Sequence, residues 1–233
     1  MSVMLIPENA VIVSSVVPIS KSRHGTVELK TMKKIQYADR LTFMLTSLPA
    51  DVYSHSVRVS VTASILARQA KHLPERQNSG LCSRTIGQGA LYHHIGAFIE
   101  SNDKKRLPLL TETILKENLP KAAANGDGTA SVNNEMILDI VRSCRERADG
   151  SGYPDGRFGQ DVSLAARLVG FACELDSLLG YKDEYKKKSV DKADSHMREK
   201  GDMRFGADAL ACYEQVREMI LGLYLNKRKR SRE

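Results

Sequence analysis

The sequence predicts an all-α fold, a bundle of helices preceded by a short irregular or β-containing N-terminal segment. Apolar residues recur every three or four positions through most of the chain beyond residue 33, as one face of a helix requires. The intervening segments 125–131 and 149–159 carry the Gly, Asn and Asp of loops. With 233 residues, 42% of them hydrophobic, the chain can bury a substantial core.

Residues 1–30 precede the helical pattern, and we interpret them as an N-terminal arm or as short strands. Their Val and Ile runs are broken by Ser, Pro and Gly, which is typical of extended segments. The apolar run at 10–19 is too short to cross a bilayer and follows no basic segment, so we expect neither a membrane span nor a signal peptide. We therefore expect a cytoplasmic protein.

The helical pattern predicts a single domain over residues 31–226. A first helix begins near Lys33 and ends before Pro49. A second begins near Asp51 and is apolar around much of its girth, which predicts a central position; its two stripes are Val59, Ala63, Leu66 and Val57, Val61, Ile65. Further helices are predicted near 84–99, 107–118, 132–148, 162–180 and 207–225.

Charge and cysteine content narrow the functional classes. The net charge of +7 comes partly from a basic tail at 227–233, which we interpret as a solvated terminus because no aromatic residue is interleaved to stack on bases. We therefore expect no nucleic-acid partner. The four cysteines are far apart and form no Cys-x-x-Cys pair, so we expect reduced thiols rather than a disulfide framework or a zinc ribbon.

Three histidines lie on the predicted helices, and the position of His55 turns it toward the core. His55 shares the stripe of Val59, with Asp51 one turn earlier on the same face, and the next apolar helix carries His93 and His94 in succession. Imidazoles from separate helices can converge on a metal in a bundle. Lone histidines on apolar faces are also common as satisfied core groups, and the spacing leaves both interpretations open.

The segment 149–156, Asp-Gly-Ser-Gly-Tyr-Pro-Asp-Gly, predicts a tight loop. Its glycines adopt turn conformations without steric cost, and its proline fixes φ and lacks an N–H. Together with His-Ser-Val-Arg at 55–58, Tyr-His-His-Ile-Gly at 92–96 and Ala-Arg-Leu at 166–168, this loop resembles the HD-GYP domains, a subgroup of the HD phosphohydrolase superfamily. The resemblance covers residues 35–222 and implies an HD-superfamily helical bundle. Active members hydrolyse bacterial cyclic di-GMP with two or three metal ions, commonly iron or manganese.

The chain departs from this pattern where the family's metal ligands stand. His94 replaces the aspartate of the HD pair, Arg145 and Cys144 replace two histidines before the loop, and Cys173 replaces a later aspartate. A protonated guanidinium has no lone pair for a metal. The resemblance therefore implies a module that binds without hydrolysing and needs no metal.

The alternative is a phosphodiesterase or other phosphohydrolase with a rebuilt metal site. In that case one zinc ion, or iron or manganese if the family activity persists, would be bound by ligands at former family positions; these are His55, His93, His94 and Cys173.

The resemblance also implies partners. A GGDEF-type or other signalling protein would contact the loop through an exposed tyrosine and proline; the candidate residues are Asp149, Gly150, Gly152, Tyr153 and Pro154. Cyclic di-GMP is the second candidate, with Arg145 or Arg147 holding a phosphate as a bidentate donor.

Overall fold

A computed structural model describes residues 37–73, 81–99, 102–119, 129–179 and 187–225. Within them the chain forms eight α-helices, two short 3-10 helices and no strand, which confirms the all-α prediction. The α-helices are α1 (Tyr37–Thr46), α2 (Ala50–Ala70), α3 (Ser83–Tyr92), α4 (Leu107–Asn118), α5 (Thr129–Ser143), α6 (Leu164–Leu179), α7 (Lys187–Phe205) and α8 (Ala207–Leu225). The predicted N-terminal arm and basic tail lie outside the described residues.

Helix α2 is central, as its sequence predicts, because it packs against α3, α6 and α8. Val59, Ala63 and Leu66 are fully buried, whereas Val61 on the second predicted stripe is 44% exposed. Helix α6 is buried over almost its whole girth and also contacts α5 and α7. These two helices bring the polar residues of the candidate site together.

The apolar core has two parts. The larger joins α2, α3, α5, α6, α7 and α8, and its aromatic centre is Phe171, whose ring centroid lies 5.4 Å from that of Phe205 and 4.9 Å from that of Tyr213. The smaller joins α1, α4, α5 and the 3-10 helix Ile95–Phe98. No described helix is both long enough and apolar enough to cross a membrane.

The structure corrects the predicted helices in two respects. Helix α7 is absent from the prediction because it is strongly polar; only one narrow face, with Val190, Ala193, Met197 and Phe205, enters the core. The helices predicted to run to 99 and 148 end at Tyr92 and Ser143. Histidines 93 and 94 and the residues leading into the loop at 149–156 therefore follow helices rather than lie within them.

Candidate metal centre

His55 is fully buried in the second turn of α2. Its Nδ1 lies 2.6 Å from Oδ2 of Asp176 on α6, so the ring N–H is donated to the carboxylate and Nε2 points the other way. Burial lowers the pKa of His55, but the hydrogen bonds to Asp176 and Cys173 outweigh it and raise the pKa to about 9. Asp176 thus fixes the orientation of the ring.

His93 follows the last residue of α3 and is 2% exposed. Its Nδ1 lies 2.6 Å from the carbonyl oxygen of Ala90, so Nδ1 carries the hydrogen and Nε2 has a free lone pair for another partner. Burial lowers the pKa of this imidazole. A hydrogen bond of this kind, from the other ring nitrogen to a carbonyl or a carboxylate, is the usual way in which proteins orient a metal-binding histidine.

The Sγ atom of Cys173 completes the group. It lies 3.4 Å from Nε2 of His55 and 3.6 Å from Nε2 of His93. Burial raises the pKa of this thiol, but the Arg145 charge and the two imidazole contacts outweigh it and hold the pKa well below its usual value. A thiol with this tendency to ionise is a good metal ligand.

Together, His55, His93 and Cys173 bring one ligand atom each to within 4.8 Å of one another. Two imidazole nitrogens and a thiolate are a donor set that zinc accepts, and the Nδ1 of each ring already donates to a fixed oxygen, as in metal-binding histidines. The group can hold a metal ion. Three of the four residues in the predicted zinc set are therefore brought together.

His94, the fourth member of that set, does not join the group. Its ring stacks on His93 at 4.0 Å between centroids and lies 5.1 Å from the ring of His55, but its Nε2 lies 2.6 Å from Nη2 of Arg145. The guanidinium donates to the lone pair that a metal would need. Burial, followed by the charges around it, lowers the pKa of His94 well below its usual value.

Asp176 connects three helices at the edge of the group. Besides His55 it accepts hydrogen bonds from Nε and Nη2 of Arg58 on α2, at 2.6 and 2.9 Å, and from the Tyr224 hydroxyl on α8, at 3.0 Å. Burial raises the pKa of this carboxyl, but His55 and Arg58 outweigh it and hold the pKa below its ordinary value. The sequence signals only that a carboxylate inside an apolar helix needs partners; Tyr224 as one of them was missed.

Arg147, the second predicted phosphate donor, is held inside the fold. Its Nη2 lies 2.7 Å from Glu174, and its guanidinium stacks 4.7 Å from the centroid of the Phe205 ring. Glu174 also pairs with Arg204. The geometry gives Arg147 a structural part between the loop and α7.

The loop at 149–156 is fastened by Glu146, whose role the sequence does not reveal. The buried carboxylate accepts the backbone N–H of Asp155 at 2.6 Å and that of Arg157 at 3.1 Å. Gly152 passes so close to this segment that a Cβ would lie 2.4 Å from Glu146 Cα. Asp149 accepts the N–H and hydroxyl of Ser151 at 2.9 and 2.6 Å, and Gly150 adopts φ 78°.

The exposed part of this loop differs from the prediction. Tyr153 and Pro154, expected to be exposed, are half-buried, because Glu146 draws the loop back and Tyr153 N–H donates to the Arg145 carbonyl at 3.2 Å. Phe158, two residues beyond the loop, is instead 65% exposed. Asp51 is also exposed, at the first turn of α2, where a carboxylate favours the positive end of the helix dipole.

Residues 114–208 match a protein-family model described as HD domain. The matched stretch is thus similar to HD domains. It contains Cys173, Asp176, Arg145 and the loop at 149–156, whereas His55 and His93 precede the matched residues. The buried group is therefore built partly by the matched residues and partly by the helices before them. No curated protein gave a match to the chain.

Proposed function

We propose that this chain is a non-catalytic HD-GYP-like module of bacterial cyclic di-GMP signalling. It binds a GGDEF-type protein, or the dinucleotide, without hydrolysing it. The observation that carries this proposal is the closure of the metal-type group: His55, His93 and Cys173 are 0%, 2% and 1% exposed, and the Sγ atom contacts both imidazoles directly. Catalysis by a metal requires an open coordination position for water and room for the substrate.

The number of available ligands supports the same proposal. Two-metal hydrolysis of a phosphodiester needs ligands for both ions, and the described residues contain one group of three. The carboxylate that contacts this group, Asp176, is engaged by His55, Arg58 and Tyr224. Arg145 brings a fixed positive charge to the side where the family has histidine.

The surface at the loop supports the binding role. Phe158 is 65% exposed beside the exposed Asp155 and Gly156. The backbone beneath them is held by Glu146, so that docking would order few additional residues. A rigid aromatic side chain on a fixed loop loses little entropy on docking.

Hydrolysis and binding are tested side by side on the full chain. Cyclic di-GMP is incubated with protein and Mn²⁺, Fe²⁺ or Zn²⁺, and products are separated by chromatography, while calorimetry measures dinucleotide binding. We expect no linear dinucleotide and no GMP. Their release, and its loss in a His55→Ala/His93→Ala/Cys173→Ala variant, would overturn the proposal.

The partner is tested with a purified GGDEF-domain cyclase. We expect Phe158→Ala to weaken its binding by about tenfold or more, as for an aromatic interface anchor. The matched control is Met203→Ala, which removes a 57% exposed side chain on α7 and should leave binding unchanged. If neither the cyclase nor cyclic di-GMP binds the wild-type chain, the signalling role is wrong.

A metal-dependent phosphohydrolase is the second candidate, favoured by the hydrogen bonds that orient the two histidines of the buried group. Donation of Nδ1–H from both histidines to fixed acceptors leaves their Nε2 atoms facing Cys173, an arrangement suited to one zinc ion. A bound ion would supply Lewis acidity. The product assay with Zn²⁺ distinguishes a catalytic ion from one that only stabilises the fold.

A further inference from the structure

We propose that Arg145 sets the ligand number of the buried metal group by withholding His94 from it. Arg145 would thereby limit the group to the three donors His55, His93 and Cys173. This inference rests on the metal group alone and not on the signalling role proposed above.

The first step is the position of His94. Its ring is stacked 4.0 Å from that of His93 and lies 5.1 Å from that of His55, between centroids, so it is a direct neighbour of two members of the group. The His94 imidazole is chemically as good a zinc ligand as the imidazoles of His93 and His55. Its own nitrogens do not join the ligand atoms that lie within 4.8 Å of one another, and its Nε2 contacts Arg145 instead.

The second step is the state of its two ring nitrogens. Nε2 accepts an N–H from Arg145 across 2.6 Å, and a neutral imidazole that accepts at Nε2 carries its hydrogen on Nδ1. That Nδ1 is buried and, among the residues that the structure describes, has no hydrogen-bond partner. A buried N–H without a partner is costly in free energy, so the tautomer of His94 with its hydrogen on Nδ1 needs a compensating contact elsewhere on the ring. The Arg145 contact accounts for it.

The third step is the charge. Arg145 stays protonated at ordinary pH, and its field acts on both His93 and Cys173. A guanidinium at this place opposes the approach of a dication to the group. Removing Arg145 therefore frees a fourth ligand and removes a like charge.

The experiment is a zinc titration of the full chain by competition with a chromogenic chelator, in four variants. These are the wild type, Arg145→Met, His94→Phe and the double variant; phenylalanine keeps the ring stacking but has no lone pair. We expect Arg145→Met to raise zinc affinity by at least about tenfold, because a like charge and a hydrogen bond on a ligand nitrogen are both removed. His94→Phe should change affinity less than about twofold with Arg145 present, and should cancel much of the gain without it, a non-additivity expected of contacting residues.

Cobalt substitution supplies an independent readout. Co²⁺ in the Arg145→Met protein should give the intense visible bands of a four-coordinate site with one thiolate, and the double variant should lose part of this intensity. Arg198→Met, which removes a guanidinium from the exposed side of α7, serves as the charge control. Circular dichroism and thermal melting confirm that each variant is folded.

Three results would overturn the proposal. They are an unchanged zinc affinity in Arg145→Met, an equal effect of His94→Phe in both backgrounds, and no zinc binding in either the wild type or Arg145→Met. None of them bears on whether a GGDEF-type protein or cyclic di-GMP is bound, so failure here is distinguishable from failure of the proposed binding function.

Discussion

Oδ2 of Asp176 and Nδ1 of His55 lie 2.6 Å apart although 121 residues separate them in the chain. The contact joins α6 to α2, and the same carboxylate receives Arg58 and Tyr224. One side chain therefore orients a candidate metal ligand and neutralises a partly buried arginine. Its loss should affect stability and metal affinity together.

Asp176→Asn tests this double role. An amide provides one acceptor oxygen where four donor groups from three side chains now converge, and it leaves Arg58 without its counter-charge. We expect the free energy of unfolding to fall by about 3 kcal/mol, as for a broken buried ion pair. Zinc affinity should fall roughly 10- to 100-fold, as when the carboxylate that orients a metal-binding histidine is lost. Denaturant unfolding and chelator competition measure the two. Asp202→Asn, on the exposed side of α7, should change neither; a loss confined to stability would refute the orienting role.

Cys173→Ser tests the donor set. Serine keeps the size of the side chain but replaces a soft thiolate with a hard oxygen, which suits zinc less well. In the wild type, zinc at about 100 times its dissociation constant should add about 2.7 kcal/mol of stability, and the variant should lose most of it. Metal analysis of protein purified without a metal column, and melting with and without zinc, provide the measurement. Cys82→Ser, at the start of α3, is the control, and a similar zinc effect in the Cys173→Ser protein would argue against this ligand.

Gly152→Ala and Gly156→Ala separate close packing from backbone conformation in the loop. A Cβ at Gly152 would lie 2.4 Å from the backbone nitrogen of Arg147, whereas a Cβ at Gly156 meets nothing within 4 Å. We expect Gly152→Ala to cost about 2–4 kcal/mol, because backbone has to move. Gly156→Ala, at φ 67°, should lower the free energy of unfolding by about 1–2 kcal/mol, the penalty of a non-glycine residue in the left-handed conformation. Urea unfolding compares the two, and equal losses would contradict the close approach at Gly152.

Arg142→Met tests a pH dependence at the base of the loop. The bidentate contact from Arg142, 2.8 Å at each oxygen, lowers the pKa of Asp155. Burial raises the pKa of Glu112, but Lys116 and Arg142 outweigh it and lower this pKa as well. Because both folded pKa values lie below the unfolded ones of 3.8 and 4.5, the stabilisation is complete above about pH 5 and is lost as the pH falls through the lowered values.

The variant should therefore be less stable by about 1 kcal/mol at neutral pH, since the groups are partly exposed. Its stability should also fall less steeply below pH 5, so that the two acid unfolding curves converge. Arg198→Met, in an exposed ion pair with Glu214, is the comparison. Parallel acid limbs in the wild type and Arg142→Met would show that this network carries no pH dependence.

The spacing of apolar residues predicted those helices that bury a broad apolar face. The stripe of Val59, Ala63 and Leu66 located α2 and turned His55 inward, as observed. Helix α7 was not predicted from the sequence, because its buried positions are few and its outer surface is charged. Polarity can mark either a loop or the exposed side of a docked helix, and only tertiary contacts decide between them.

The candidate site was predictable only in part. Cys173 was suggested by the family pattern, since a buried thiol is an ordinary core residue. His93 belongs to the metal group and the adjacent His94 does not. This difference depends on one long-range contact, from Arg145 to His94 Nε2, which the spacing of residues in the sequence does not predict. The partial burial of Tyr153 likewise depends on Glu146, which accepts two backbone N–H groups of the loop segment. The sequence does not indicate that Glu146 makes these hydrogen bonds.

The hydrogen bond from Tyr224 to Asp176 affects the order in which the contacts of the site can form during synthesis of the chain. His55 leaves the ribosome long before Asp176, and Tyr224 follows Asp176 by a further 48 residues. Because distant contacts wait for chain closure, His55 has no Asp176 to orient it until a further 121 residues have been made. The carboxylate acquires its full set of partners only when α8 docks. Metal capture by the nascent chain should consequently be a late event.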